Sequence, residues 1–166
     1  NGSKIVVVNV MCRLFMESLE NPFLNLEKIV DEVNLISNDH LIIVDVHGES
    51  TSEKMALAHF LDGKVTAIVG THTHIPTSDL QILTNGTFYQ TDLGMCGDYD
   101  SVIGMKKELS IKRFLYKHIK TRLEPAEGIG TLSGVILEID LKTKKVINFK
   151  QILKDGLLGK ENGRTF

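Results

Sequence analysis

Residues 41–74 read LIIVDVHGESTSEKMALAHFLDGKVTAIVGTHTH, and this stretch decides the fold. Leu41 to Val46 is a short apolar run followed at once by polar residues, the mark of a buried strand. Ser50 and Glu53 have the spacing of a capping box that opens a helix to about Leu61, and Asp62-Gly63 closes it. Val65 to Val69 is a second buried strand. Upstream, Lys4 to Val10 is continuous and β-branched, which predicts a strand covered on both faces. Met11 to Pro22 shows no period and reads as a loop. Asn25 then stands as N-cap before Leu26, Ile29, Val30 and Val33, spaced for one helical stripe. The order strand, helix, strand, helix, strand predicts βαβ units with parallel strands, an α/β (layered α+β) class.

Downstream the pattern changes. Leu80 to Thr84 and Thr87 to Gln90 flank Asn85-Gly86, a hairpin signal. Lys106 to His118 carries Ile111, Phe114, Leu115 and His118 on one helical face. Thr131 to Asp140 and Lys145 to Leu153 predict a second hairpin turning at Lys142-Thr143-Lys144. One domain is expected over 1–153, followed by a loosely held tail over 154–166.

The 166 residues are 42% hydrophobic and 24% charged with a formal net charge of -2, the balance of a soluble globular protein. That charge argues against stable nucleic-acid binding, and no apolar run is long enough for a membrane span. The start at Asn1 has no signal-peptide pattern and no initiator Met, so the chain is expected to be processed or to begin inside a longer polypeptide. Cys12 and Cys96 stand far apart, which excludes a disulfide framework, and the default address is cytoplasmic.

Three histidines share one address. His47 ends one buried strand, and His72 and His74 follow Gly70 at the end of the next. In open α/β sheets, ligands bind beyond the carboxyl ends of the strands. In an extended chain, His72 and His74 project to one side with Cα atoms ~6.5 Å apart. That suits two metal ions ~3.5–4 Å apart, one imidazole on each, with His47 joining His72. Gly70 lets the backbone approach the ions. Asp45 is either an acceptor that fixes a histidine tautomer or a turn cap. His40, His59 and His118 read as ordinary surface or helix-end residues. The loop Thr91 to Asp100 reads equally as a substrate contact or as an irregular turn. The basic run from Lys106 to Arg122, including Lys107, Lys112, Arg113, Lys117 and Lys120, reads as a solvated helix face rather than a phosphate site.

Together, Asp45-Val46-His47-Gly48-Glu49-Ser50-Thr51-Ser52-Glu53-Lys54, Leu61-Asp62-Gly63-Lys64-Val65 and Val69-Gly70-Thr71-His72-Thr73-His74 resemble the YmdB-like metallophosphoesterases. Tyr89-Gln90-Thr91-Asp92-Leu93-Gly94-Met95, Tyr99 to Gly104, Arg113-Phe114 and Ala126-Glu127-Gly128 are similar to the same family. The resemblance implies a calcineurin-like two-sheet β-sandwich flanked by helices. It implies hydrolysis of phosphodiesters such as 2′,3′-cyclic nucleotides at two divalent ions, iron or manganese ahead of zinc. His47 and His72 resemble the histidines of one metal and His74 that of the other. Thr73, Asp92, Gly94 and Tyr99 would contact substrate, with Asp45 behind the ligands.

Family members carry a further N-terminal region with an Asp, a Glu-Asn pair and an Asn-His segment containing the general-acid histidine. This chain has no counterpart to it, so no catalytic acid is assigned here. The expected partner is that missing half or a second copy, and without it the sheet is expected to expose apolar faces and to associate. The alternative is a truncated or split-gene fragment that binds metal weakly or serves as an interaction domain. Gly48 and Ser50 stand where Ala is expected, and Asp98 where Pro is expected.

Overall fold

Alternation along the central strands sorts their side chains onto two faces. The structure is a computed structural model that describes residues 4–16, 20–116 and 122–159. Its elements are β1 (Ile5–Met11), α1 (Pro22–Ile36), β2 (Leu41–His47), α2 (Thr51–Phe60), β3 (Ala67–Thr71), β4 (Gln81–Ile82), β5 (Phe88–Gln90), α3 (Lys107–Leu115), β6 (Leu132–Ile139) and β7 (Val146–Lys154). One sheet has the order β1-β2-β3-β5-β4, and β6 and β7 form a second. β1, β2, β3 and β5 are parallel and β4 is antiparallel to β5.

On one face, Ile42, Val44, Val46, Ile68 and Tyr89 pack with Leu26 and Val30 of α1 and with Leu57 and Ala58 of α2. On the other, Ala67, Val69 and Phe88 meet Val146, Val135, Leu137 and Phe149 of the β6–β7 hairpin. Helices, five-stranded sheet and hairpin therefore form three layers, with two sheets face to face. This is the expected α/β class of two packed sheets flanked by helices.

Several local expectations change. β1 is an edge strand rather than a doubly covered one: Val8 and Val10 reach the helix-side core, while Ile5 and Val7 are 63% and 67% exposed. The hairpin covers the sheet's centre and stops short of β1. Helix α1 begins one turn earlier than expected, because Asn21, not Asn25, caps it by accepting from Phe23 N, with Pro22 in the first turn where its missing N–H costs nothing. Ser50 does cap α2, accepting from Glu53 N, but the Glu53 carboxylate turns away to Arg13 N and Leu14 N. In the first hairpin only Gly86 takes a positive φ, 99°, closing a Leu83–Gly86 turn. Helix α3 ends at Leu115 and leaves Ile111, Phe114 and Leu115 largely exposed, with Phe114 lining a cavity beside Val102, Ile103, Met105 and Leu123.

The expected tail is held at its start: Thr131 Oγ1 donates to Asp155 O and accepts from Leu158 N. Lys117, His118, Lys120 and residues 160–166 lie outside the described residues. No helix among the described residues is long and apolar enough to cross a membrane.

Candidate metal centre

The parallel register brings the carboxyl ends of the strands level, pairing Met11 with His47 and His47 with Thr71. Because β2 alternates faces, Asp45 and His47 lie on the same side, and Thr71 lies beside both. Thr71 Oγ1 donates to Asp45 Oδ1 at 2.8 Å, and Asn9 Nδ2 donates to Asp45 Oδ2 at 2.8 Å. A hydroxyl has one proton, and Thr71 gives its own to the carboxylate. Its 3.0 Å contact with His47 Nδ1 is therefore an N–H donated by the histidine. That fixes the tautomer and leaves the His47 Nε2 lone pair on the side of His72. Asp45 thus acts on the tautomer through Thr71, not by direct contact.

His47 Nε2 faces His72 Nδ1 at 3.2 Å, with the rings edge to face at 4.9 Å between centroids. The other nitrogen of His72, Nε2, lies 3.1 Å from Glu49 Oε2. His74 donates from Nδ1 to Ile103 O at 2.9 Å, so its Nε2 also carries a lone pair. The chain does not stay extended across the pair: φ is 112° at His72 and 68° at His74. Left-handed backbone at two non-glycine residues stores strain, and such strain clusters at functional sites. The extended-chain spacing for His72 and His74 does not apply, since β3 stops at Thr71.

Gly70 serves a different purpose from the one expected. A Cβ there would lie 1.7 Å from Thr91 O and 3.1 Å from Lys54 Cδ, so its bareness admits the neighbouring strand end and a lysine stem. Thr73 N donates to Asp92 Oδ2 at 2.9 Å. Asp92 is 1% exposed, and its other oxygen accepts from Gly94 N. Gly94 takes φ 78° with Pro76 and Tyr99 packed where a side chain would stand. The Tyr99 hydroxyl accepts from Met95 N and contacts the carbonyls of His74 and Met95, and burial raises its pKa. Asp98 replaces the expected rigid turn with hydrogen bonds, accepting from Asp100 N and Gly128 N.

Sequence reasoning missed Thr71, Glu49 and Lys54. Thr71 was accessible from strand register alone, since it sits opposite His47. Lys54 carried no signal, because a lysine in a helix reads as surface.

The donor chemistry fits divalent metal at His47 and His74, whose second nitrogens are held as in metal-ligating histidines. Among the described residues, however, no three His, Cys, Asp or Glu side chains gather as a ready cage.

The sequence model of the YmdB-like protein family matches residues 1–152. The 2′,3′-cyclic-nucleotide 2′-phosphodiesterase of Bacillus subtilis (strain 168) is 44% identical, over 92% of this chain and 57% of its own length. A hypothetical protein from Thermus thermophilus superposes with a TM-score of 0.81 at 39% identity, covering 90% of this chain and 56% of that one. A novel phosphatase from Mycoplasma pneumoniae gives 0.78 at 39% identity, covering 92% and 54%. The chain thus spans little more than half the length of the relatives it matches.

Proposed function

The chain belongs to the YmdB-like protein family, and from that premise we propose that it carries the histidine-bearing part of a metal-dependent phosphodiesterase site. The observation that carries this reading is the anchoring of two imidazoles by their Nδ1–H groups, His47 on Thr71 and His74 on Ile103, which leaves both Nε2 atoms as ligands. His47 and His72 would hold one ion and His74 a second, iron or manganese before zinc. When bound, such ions supply Lewis-acid polarisation of phosphoryl oxygens and a water of lowered pKa.

This chain's own residues hold and orient. Asp45 and Thr71 keep the His47 lone pair turned toward His72. Thr73 and the loop from Asp92 to Tyr99 set the backbone around His72 and His74 at the rim where a phosphodiester would lie. The substrate class is a 2′,3′-cyclic nucleotide, by analogy with the Bacillus relative's activity. The remaining ligands and the general acid are assigned to the part of the family's length that this chain does not span, or to a second copy. One observation favours the alternative of a weak metal-binding domain without turnover: the described residues converge only two imidazoles.

Metal content after purification without chelator, measured beside hydrolysis of bis-p-nitrophenyl phosphate with added manganese, tests both. Histidine-dependent metal with turnover, both lost in His74→Ala, supports the enzyme. Histidine-dependent metal without turnover selects the alternative. Metal binding indifferent to His47→Ala and His74→Ala refutes the site.

A further inference from the structure

Lys54 is wholly buried, a rare state for lysine without a partner. Its ammonium has three protons and uses each one: Nζ donates to Thr71 O at 2.7 Å, to Thr91 O at 3.1 Å and to Asp92 Oδ2 at 3.2 Å. The first two acceptors are backbone carbonyls at the ends of β3 and β5. The third belongs to Asp92, equally buried, which also takes Thr73 N on Oδ2 and Gly94 N on Oδ1. One ion pair therefore grips the chain immediately before His72, again between His72 and His74, and at the loop beyond β5. The channel for the lysine stem exists because Gly70 has no Cβ.

Packing alone does not account for this arrangement. Apolar side chains of similar volume fill such space at no desolvation cost, and exchanging a buried ion pair for them is often neutral or stabilising. What apolar residues cannot do is bind two carbonyls and two amides, one of each at the segment with positive φ at His72 and His74 and one of each at the loop beyond β5. We propose that Lys54 and Asp92 are positioning residues for the metal-binding histidines, clamping the backbone on both sides of His72 and so setting where its imidazole and that of His74 stand. The inference rests on the reading of these histidines as ligands and goes beyond it in assigning a role to two buried charges.

The test compares the parent chain with Lys54→Met, Asp92→Asn and the double variant Lys54→Met/Asp92→Leu, which removes both charges and every hydrogen bond of the clamp. Three quantities are read: the thermal midpoint in chelator, the affinity for cobalt(II) from its visible absorption, and amide hydrogen exchange at Thr73 and Gly94 against Val44 and Ile68. In the double variant the midpoint stays below the parent value, because the Thr71 and Thr91 carbonyls and the Thr73 and Gly94 amides lose these partners, but above that of Asp92→Asn, which leaves the lysine charge buried without its counter-ion. Cobalt affinity stays at least tenfold weaker, and the Thr73 and Gly94 amides exchange at least tenfold faster while Val44 and Ile68 do not change. Parental cobalt affinity and loop exchange in the double variant overturn the proposal, as does a rise in exchange spread equally over all four amides. If the parent chain binds no cobalt, the metal reading fails on its own, and the exchange data alone decide whether the pair clamps the loop.

Discussion

Replacing Gly48 with alanine should cost this chain far more than a methyl group suggests. A Cβ at Gly48 would stand 2.4 Å from Cys12 Cβ and 2.5 Å from Cys12 Sγ, about 1 Å inside ordinary contact with both. Cys12 is completely buried, so its side chain has no open direction to swing into. The backbones cannot part freely either, because Cys12 N donates to His47 O at 2.9 Å and Gly48 N to Thr71 O at 3.3 Å. Overpacking of this kind costs ~1–3 kcal/mol, and two close contacts on tethered backbone place Gly48→Ala near ~2 kcal/mol or above. For a chain of this size that corresponds to a drop of about 4–8 °C in the thermal midpoint.

The assay is urea or thermal unfolding of Gly48→Ala in three backgrounds. Cys12→Ala removes Sγ and leaves Cβ, so most of the cost persists. Cys12→Gly removes both, and there Gly48→Ala should become nearly neutral, a coupling of ~2 kcal/mol. A cost below ~0.5 kcal/mol in the parent, or an equal cost in all three backgrounds, would refute the packing argument. The same pair explains how this chain differs from the alanine expected at position 48: the space is already filled by Cys12, the residue after β1.

Thr71→Val keeps shape and removes the hydroxyl between Asp45 and His47. Cobalt affinity should fall ~10–100-fold as the tautomer anchor is lost, and an unchanged affinity would remove Thr71 from the site. Burial, then the Glu53 carboxylate, push the Cys12 thiol up to about 11, so at pH 8 it stays protonated. Ellman's reagent should therefore find one reactive thiol, the exposed Cys96, in the native chain and two in denaturant. Burial raises the pKa of Asp79, but hydrogen bonds from Thr77 and Thr91 outweigh it and hold the carboxyl below its usual value. Its contribution to stability is full above the unfolded pKa near ~3.9 and is lost as pH falls through the folded value, so Asp79→Asn should flatten the acid limb of a stability–pH curve below about pH 4. Val7→Lys, on the uncovered face of edge strand β1, should reduce concentration-dependent light scattering without lowering the thermal midpoint.

The buried runs Leu41 to Val46 and Val65 to Val69 were legible because a strand between two covered faces must be apolar along its length, a property written in consecutive residues, although the second strand itself runs two residues later, Ala67–Thr71. The Ser50 cap was legible for the same reason: donor and acceptor lie three positions apart. The meeting of His47 and His72 followed from strand order, since β2 and β3 are parallel neighbours, whereas His74 turns to Ile103. Local spacing failed where the chain bends, as at His72 and His74, whose positive φ values come with ties from Thr73 N to Asp92 and from His74 Nδ1 to Ile103 O made across 19 and 29 positions of sequence.

Sequence by itself determined the layered α/β class and the family resemblance, and it singled out three histidines as candidates, since each depends on residue type and near-neighbour pattern. Only the tertiary structure decided that Thr71 relays Asp45 to His47, that Glu53 leaves its capping box for the β1 loop, and that Lys54 is an interior clamp. Those assignments depend on which strand ends become neighbours. A charged or polar side chain buried by such a meeting must find its partners there or pay the desolvation of its group.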